Sequence, residues 1–270
     1  ASKKFDLVIH LHATNRMHLV GWLARIPVRI GWKRKYGWAL THAYEDLKKE
    51  GKRHEAEYNF DLLEPLGIPR PENFELFFPL SARARLSFGM LAEHLRLAHD
   101  KPWIVLNPSA SCPSKIWPPE RFGDLAERIS KEYDCYFIAI GTKRDRPLVE
   151  KLKSRSRLPI YDLSGRLSLG MLGILLKEAA LLVSNDSGPV HIASAVGTPV
   201  VSIFGRNQPG LSPVRWGPLS EASRIVWKDV GCLECLAHQC QIHFLCLDAV
   251  SVEEVLKAAQ ELLSRRLVLQ

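Results

Sequence analysis

SNDSGPVHIASAVGTPVVSIFG, residues 184–205, reads as the core of one strand–helix–strand unit. Ala180–Ser184 is a short apolar run suited to a buried strand. Asn185 to Pro189 interrupts it with turn-forming residues. Val190–Val196 then has the length of a short helix, with Gly197 placed to stop it. Pro199–Phe204 is a second buried strand, ended by Gly205. Two buried strands joined by a helix imply a parallel sheet covered on both faces. The first turn brings Asp186, Ser187, free backbone amides and His191 to a helix N-terminus. That arrangement suits a phosphate-bearing ligand at the carboxyl ends of the strands.

The same alternation extends outward. Strands are expected at Trp103–Asn107, Cys135–Ile140, Ile160–Leu163 and Arg224–Trp227. Helices are expected from Pro119, from Arg144 and from Ser168, and a capping box at Ser251–Glu254 opens a terminal helix. From Lys101 onward strand and helix alternate about five times, the pattern of a doubly wound α/β domain. The first region carries a partial version. Phe5–Leu11 and Val28–Gly31 read as strands, and Thr14 caps a helix expected to bury Leu19, Trp22, Leu23 and Ile26. A helix is expected over His54–Leu66. Another over Ser81–Ala98 is expected to bury Leu86, Met90, Leu91 and Leu95.

Composition narrows the class. The 270 residues are 46% hydrophobic and 24% charged, ordinary for a globular protein. No apolar run is long enough to span a bilayer. Asp6, His10 and His12 interrupt the first apolar segment, which argues against a signal peptide and for a cytoplasmic protein. The net charge of +8 favours anionic partners. The basic residues are dispersed and form no nucleic-acid motif, so nucleic acid is not an expected partner. The basic, aromatic run Trp32–Gly37 reads as a solvated loop or as a loop that meets an anionic acceptor.

Three strand-end loops carry the candidate chemistry. In Asp186-Ser187-Gly188-Pro189 with His191, Gly188 allows close backbone approach and the helix amides can hold a diphosphate. In Pro108–Pro118 (PSASCPSKIWP), Ser109, Ser111 and Ser114 offer hydroxyls and Lys115 a point charge. The loop lacks the Walker pattern. In Gly141–Asp145, Gly141 admits a ligand against the backbone and Asp145 can accept from a ribose hydroxyl. Each loop alone also reads as an ordinary capped turn. Together they converge on the crevice where doubly wound sheets bind ligands.

The stretch at 184–205 resembles the signature of glycosyltransferase family 9, the bacterial ADP-heptose:lipopolysaccharide heptosyltransferases. The matching residues are Asp186, Ser187, Gly188, His191, Ala193, Ser194, Ala195, Pro199, Phe204 and Gly205. Lys115, Trp117 and Pro118 match its Lys-x-Trp-Pro element, with Phe122 in the helix that follows. Gly141 with Asp145, Leu163-Ser164-Gly165, and FDLVIHLHATNR with RIGW also fit.

The resemblance implies a GT-B fold, two Rossmann-like domains with the active site between them. The expected division is 1–98 (partial, acceptor side), 99–250 (nucleotide-sugar side) and a C-terminal helix at 251–270. It implies inverting transfer of a heptose from ADP-heptose to a lipopolysaccharide core acceptor, with no catalytic metal and no cofactor. Lys115 and Asp186 would be the catalytic pair. Ser109, Ser111, Gly141, Asp145, Ser187, Gly188, Pro189 and His191 would bind substrate. The expected partners are a nucleotide-sugar donor, a lipid-linked saccharide acceptor and the anionic inner face of the inner membrane. The family's opening strand and Gly-Asp turn, which carry its general base, have no counterpart here, so the chain reads as a fragment or as a degenerate, binding-only member.

Cys232, Cys235, Cys240 and Cys246 follow the spacing C-x2-C-x4-C-x5-C. Free thiols, disulfides and a structural zinc site all fit that spacing, and a reducing compartment disfavours disulfides.

Overall fold

The computed structural model describes residues 3–232 and 235–267 and divides into two compact units. The first unit runs to Phe74 and takes in Pro209–Trp216. The second comprises Glu75–Gln208 and the chain from Gly217 onward.

The first unit has a three-stranded parallel sheet, β1 (Leu7–His10), β2 (Val28–Trp32) and β3 (His42–Tyr44), in that order. β3 is a three-residue addition to the expected pair. Helix α1 (Asn15–Leu23) is capped by Thr14, whose hydroxyl accepts from Met17 N at 3.1 Å. Its buried residues are His18 and Gly21, whereas Trp22 and Leu23 are 45% and 62% exposed. The expected apolar face is therefore rotated. A side chain at Gly21 would stand 3.1 Å from His10 Nε2, so the helix seats on β1 along its smallest residue. The helix expected over 54–66 is broken into α2 (Glu55–Asp61), capped by His54, and a 3-10 turn at Glu64–Leu66. Arg215 ties the returning segment to this unit. Its Nε is 2.7 Å from Glu55 Oε2, and Lys48 Nζ is 2.5 Å from Glu55 Oε1.

The second unit is a six-stranded, all-parallel sheet. Its strands are β4 (Trp103–Asn107), β5 (Tyr136–Ala139), β6 (Ile160–Asp162), β7 (Leu181–Asn185), β8 (Val200–Phe204) and β9 (Ser223–Trp227). The spatial order is β6-β5-β4-β7-β8-β9. The chain builds outward from β4 to β6, then returns to β7 on the other side. This reversal leaves a crevice at the carboxyl ends of β4 and β7. β4, β7 and β8 are buried throughout, as strands covered on both faces must be.

Helices α4 (Pro119–Ile129) and α5 (Arg146–Ser154) cover one face with the C-terminal helix Val252–Leu267. The capping box opening that last helix is formed, with Ser251 Oγ accepting from Glu254 N at 3.2 Å. Helix α3 (Ala82–His94) with α6 (Leu169–Glu178) and α7 (Gly188–Val196) covers the other face. Gly197 ends α7 in the left-handed conformation, φ +79°.

The division falls between Phe74 and Glu75 rather than near residue 98, because α3 packs on α6 within the second unit. It does so through Ala84, Phe88 and Ala92, and a side chain on Gly170 would meet Ala84 Cβ at 2.9 Å. Leu86 and Met90, expected to be buried, are 68% and 64% exposed. In both α1 and α3 close approach of small residues, rather than the count of large apolar ones, sets the contact face.

Candidate functional site

Both strands that flank the crevice end in asparagine, and these two side chains join the loops beyond them. Asn107, at the end of β4, donates from Nδ2 to Ser184 Oγ (2.9 Å) and Ser187 Oγ (2.8 Å). Its Oδ1 accepts from Ser109 Oγ at 2.8 Å. Asn185, at the end of β7, donates to Pro108 O (2.8 Å) and accepts from Trp117 N (3.1 Å). Asn107, Ser184 and Asn185 are buried, so the network is worth more than the same bonds in water.

Lys115 is placed by its neighbours. Trp117 is fully buried, donates from Nε1 to Val250 O at 2.9 Å and meets Phe122 edge to face. That anchor fixes the 3-10 turn Pro113–Lys115 two residues before it. The Lys115 ammonium then lies 2.7 Å from Asp186 Oδ2, at the end of the adjacent strand. Asp186 is itself fixed, its N donating to Ile203 O at 3.0 Å.

Ser187 is the N-cap of α7, yet its hydroxyl makes no cap bond. It donates to Asn185 O at 3.0 Å and accepts from Asn107. Pro189 has no N–H and Val190 N donates to Ser187 O at 3.1 Å, so the Gly188 N–H is left uncapped at the positive end of the helix dipole. Pro189 occupies the first turn, where no amide is missed. A methyl group built on Gly188 meets nothing within 4 Å, so the space over the helix start is open. His191 lies one turn further along, half-buried.

The remaining expected residues divide. Ser109 belongs to the Asn107 network. Ser111 is exposed, with its hydroxyl directed to Cys112 Sγ at 3.8 Å. Asp145 Oδ2 accepts from Thr142 N and Thr142 Oγ1, both at 2.7 Å, in a capping box that opens the turn into α5. A side chain on Gly141 would meet Asp145 Cβ at 2.9 Å, so this glycine makes room for that cap.

Arg206, which the sequence reading did not single out, closes the same loop from β8. It is 6% exposed and has φ +66°. Its Nε donates to Ser114 Oγ at 3.0 Å, and Nη2 reaches Cys112 Sγ at 2.6 Å. Among the described residues no carboxylate pairs with this buried guanidinium. Gly205 before it allows the approach, since a side chain there would stand 2.8 Å from Ser114 O.

A cavity of about 310 Å³ adjoins Arg206 and Ser114 and is lined by Cys232, Cys235, Cys240 and Cys246. All four are half-buried free thiols. Burial holds the Cys246 thiol above its ordinary value. Among the described residues no three His, Cys, Asp or Glu side chains are grouped to hold a metal ion. No helix among them is long and apolar enough to cross a membrane.

The family model for glycosyltransferase family 9 (heptosyltransferase) matches residues 1–245. Lipooligosaccharide heptosyltransferase 2 of Haemophilus ducreyi is 27% identical over 234 residues, which are 83% of this chain and 66% of that protein. Lipopolysaccharide heptosyltransferase 2 of Escherichia coli is 25% identical, over 83% of this chain and 65% of its own length. The matched region thus spans about two thirds of these relatives. The fold is that of the E. coli ADP-heptose lipopolysaccharide heptosyltransferase II structure (TM-score 0.74, 23% identity, 96% of this chain and 76% of that one). A family 9 glycosyltransferase structure from Veillonella parvula has TM-score 0.80 and 23% identity, covering 97% of this chain and 75% of that chain.

Proposed function

Since the chain belongs to glycosyltransferase family 9, the heptosyltransferase family, we propose that it serves transfer of a heptose from ADP-heptose to a lipopolysaccharide core acceptor. The observation that carries this reading is the Lys115–Asp186 pair, 2.7 Å apart beside the uncapped start of α7. A nucleotide-sugar donor must release a diphosphate, and charge grows on that leaving group as the glycosidic bond breaks. In this reading Lys115, the Gly188 N–H and the positive end of the α7 dipole receive that charge, the role a metal ion fills elsewhere. Asp186 fixes the ammonium in place. Gly188 lets the diphosphate lie against the backbone, and Pro189 takes a position where no amide is needed.

Ser109, Ser111, Ser187 and His191 would supply hydroxyl and imidazole contacts to phosphate and sugar. Gly141 and Asp145 would flank the ribose, with the Thr142 cap holding the carboxylate still. The acceptor hydroxyl attacks the anomeric carbon from the face opposite the diphosphate, inverting it, and gives its proton to a base. The acceptor would be a lipid-linked saccharide at the inner face of the inner membrane, reached from the cytoplasm.

The test is calorimetric titration with ADP and with ADP-heptose, followed by transfer to a heptose-deficient lipopolysaccharide acceptor. The expected result is ADP binding that Lys115→Ala removes. Absence of ADP binding by the folded chain would overturn the donor-site reading. ADP binding without transfer would mark a binding-only member of the family.

A further inference from the structure

Residues 11–44 contain six Lys or Arg and neither Asp nor Glu. The structure gathers three exposed aromatic rings in this same segment of the first unit. Trp22 on α1 is 45% exposed, and Tyr36 and Trp38 beyond β2 are 40% and 63% exposed. Trp22 and Trp38 meet edge to face with centroids 5.4 Å apart, and Tyr36 lies 5.9 Å from Trp38. Tryptophan exposed to this degree is rare on a protein that leaves the site uncovered, and three such rings in one cluster mark a surface that meets something.

The charges around the cluster indicate what it meets. Arg25, Lys33 and Lys35 flank the rings in the chain and are exposed, as is Arg16 at the start of α1. Among the described residues none of these four is in an ion pair, while Arg34 is paired with Asp46 at 2.9 Å. Arg29 is turned inward, its Nε donating to Ala39 O at 2.6 Å. The surface therefore presents amphipathic rings and unneutralised cations together. Trp and Tyr settle at the boundary between acyl chains and water, with an apolar body and a polar edge. Lys and Arg beside them are drawn to anionic headgroups.

From this combination we infer that the Trp22–Tyr36–Trp38 cluster, with Arg25, Lys33 and Lys35, is the surface by which the protein seats on an anionic lipid bilayer. A single-stranded nucleic acid would instead need open ring faces for bases to stack on. Here the Trp22–Trp38 contact is edge to face, at an interplanar angle of 76°, so the pair covers a ring face with a neighbouring ring rather than holding the two faces parallel for a base to stack between. The inference deepens the membrane location proposed above and is argued from residues of the first unit alone, none of them assigned to the Lys115–Asp186 site.

The test is co-sedimentation of the whole chain with vesicles of phosphatidylglycerol and phosphatidylcholine, against vesicles of phosphatidylcholine alone. Binding to the anionic vesicles only, weakened by salt, is expected. Lys33→Glu with Lys35→Glu should lower vesicle affinity more than about tenfold. Trp38→Ala should weaken binding while leaving its salt dependence in place. All positions are exposed, and thermal melting verifies the fold of each variant. Equal binding to neutral vesicles, no binding, indifference to these variants, or a preference for a single-stranded RNA oligonucleotide would each overturn the inference. ADP titration of the same preparations keeps the outcomes apart, because loss of vesicle binding with ADP binding intact refutes this surface and spares the donor site.

Discussion

Lys115 Nζ stands 2.7 Å from Asp186 Oδ2, so an ion pair bridges the loops that follow two adjacent strands, β4 and β7. Both side chains are largely withdrawn from water, at 19% and 7% exposure. Such a pair is held for position more than for stability, because desolvation offsets much of its attraction. The two partners should therefore fail differently. Lys115→Ala removes the charge itself and should lower both ADP affinity and turnover, the latter by about 100-fold or more. Asp186→Asn leaves the ammonium but not its anchor, so turnover should fall more than ADP affinity. Titration with ADP beside a transfer assay separates these cases, and an equal loss of both quantities in Asp186→Asn would refute the anchoring role.

Asn107 serves three serines at once. Replacing it with Leu removes the donor to the buried Ser184 Oγ and to the half-buried Ser187 Oγ, although each hydroxyl keeps its own bond to Asn185 O. Losing an acceptor's donor in a largely buried network costs about 1–3 kcal/mol, so Asn107→Leu should lower unfolding stability by about that amount. Urea denaturation measures it. Ser109→Ala removes only an outer, half-buried bond and should cost less than Asn107→Leu.

Arg206 reaches across from β8 to hold the Cys112–Ser114 turn, immediately before Lys115. Arg206→Met keeps much of the side-chain volume and removes both donors. The turn should then loosen, with two readouts moving together. ADP affinity falls by about tenfold, the loss of one charge-assisted contact, and alkylation of Cys112 by iodoacetamide accelerates. Unchanged alkylation would show that the guanidinium does not hold the turn.

Much of this architecture is legible in the chain. The strands of the second sheet are near-continuous apolar runs punctuated by Gly and Pro, the expected appearance of strands buried on both faces. The loops that end them could be located for the same reason. The helix faces were less legible, since Gly21, Ala84 and Ala92 carry contacts that a search for large apolar residues overlooks. β3 escaped because His42-Ala43-Tyr44 is short, exposed to half-exposed and without an apolar run. Asn107 and Asn185 were read as a strand end and a turn former. The available signal was that WIVLN and LLVSN, two fully buried strands, both end in asparagine. Arg206 offered none, because a basic residue after a strand is ordinarily solvated.

Gly188 allows fold and ligand contact to be separated. A methyl group there meets no atom within 4 Å and needs no left-handed backbone, so Gly188→Ala should leave the thermal midpoint unchanged or slightly raised. If a diphosphate fills the open space over α7, the same methyl group obstructs it. ADP affinity should then drop with no loss of stability. Retained affinity would place the ligand elsewhere.

His10 and His18 give the first unit an acid sensitivity. The rings meet at 5.0 Å, and all four ring nitrogens are buried with no close hydrogen-bond partner among the described residues. Burial lowers both values below the ordinary 6.5, with the His18 and then the Arg29 charge adding to the effect on His10. For His18 burial again leads, the Tyr36 backbone opposes it in part, and Lys35 adds to it. The native state therefore holds both rings neutral in a range where the unfolded chain takes up protons. Below the ordinary value of 6.5 the unfolded state binds more protons, so stability falls with falling pH until the native rings also protonate. Above that value the two rings contribute no slope. Hydrogen exchange at the β1 and β2 amides, corrected for intrinsic rates, should show weaker protection at pH values below 6.5 than at neutrality. His10→Leu with His18→Leu removes the titrating groups and fills their place with apolar surface. Protection in that variant should become independent of pH across this range, and a slope that persists would assign the sensitivity to other groups.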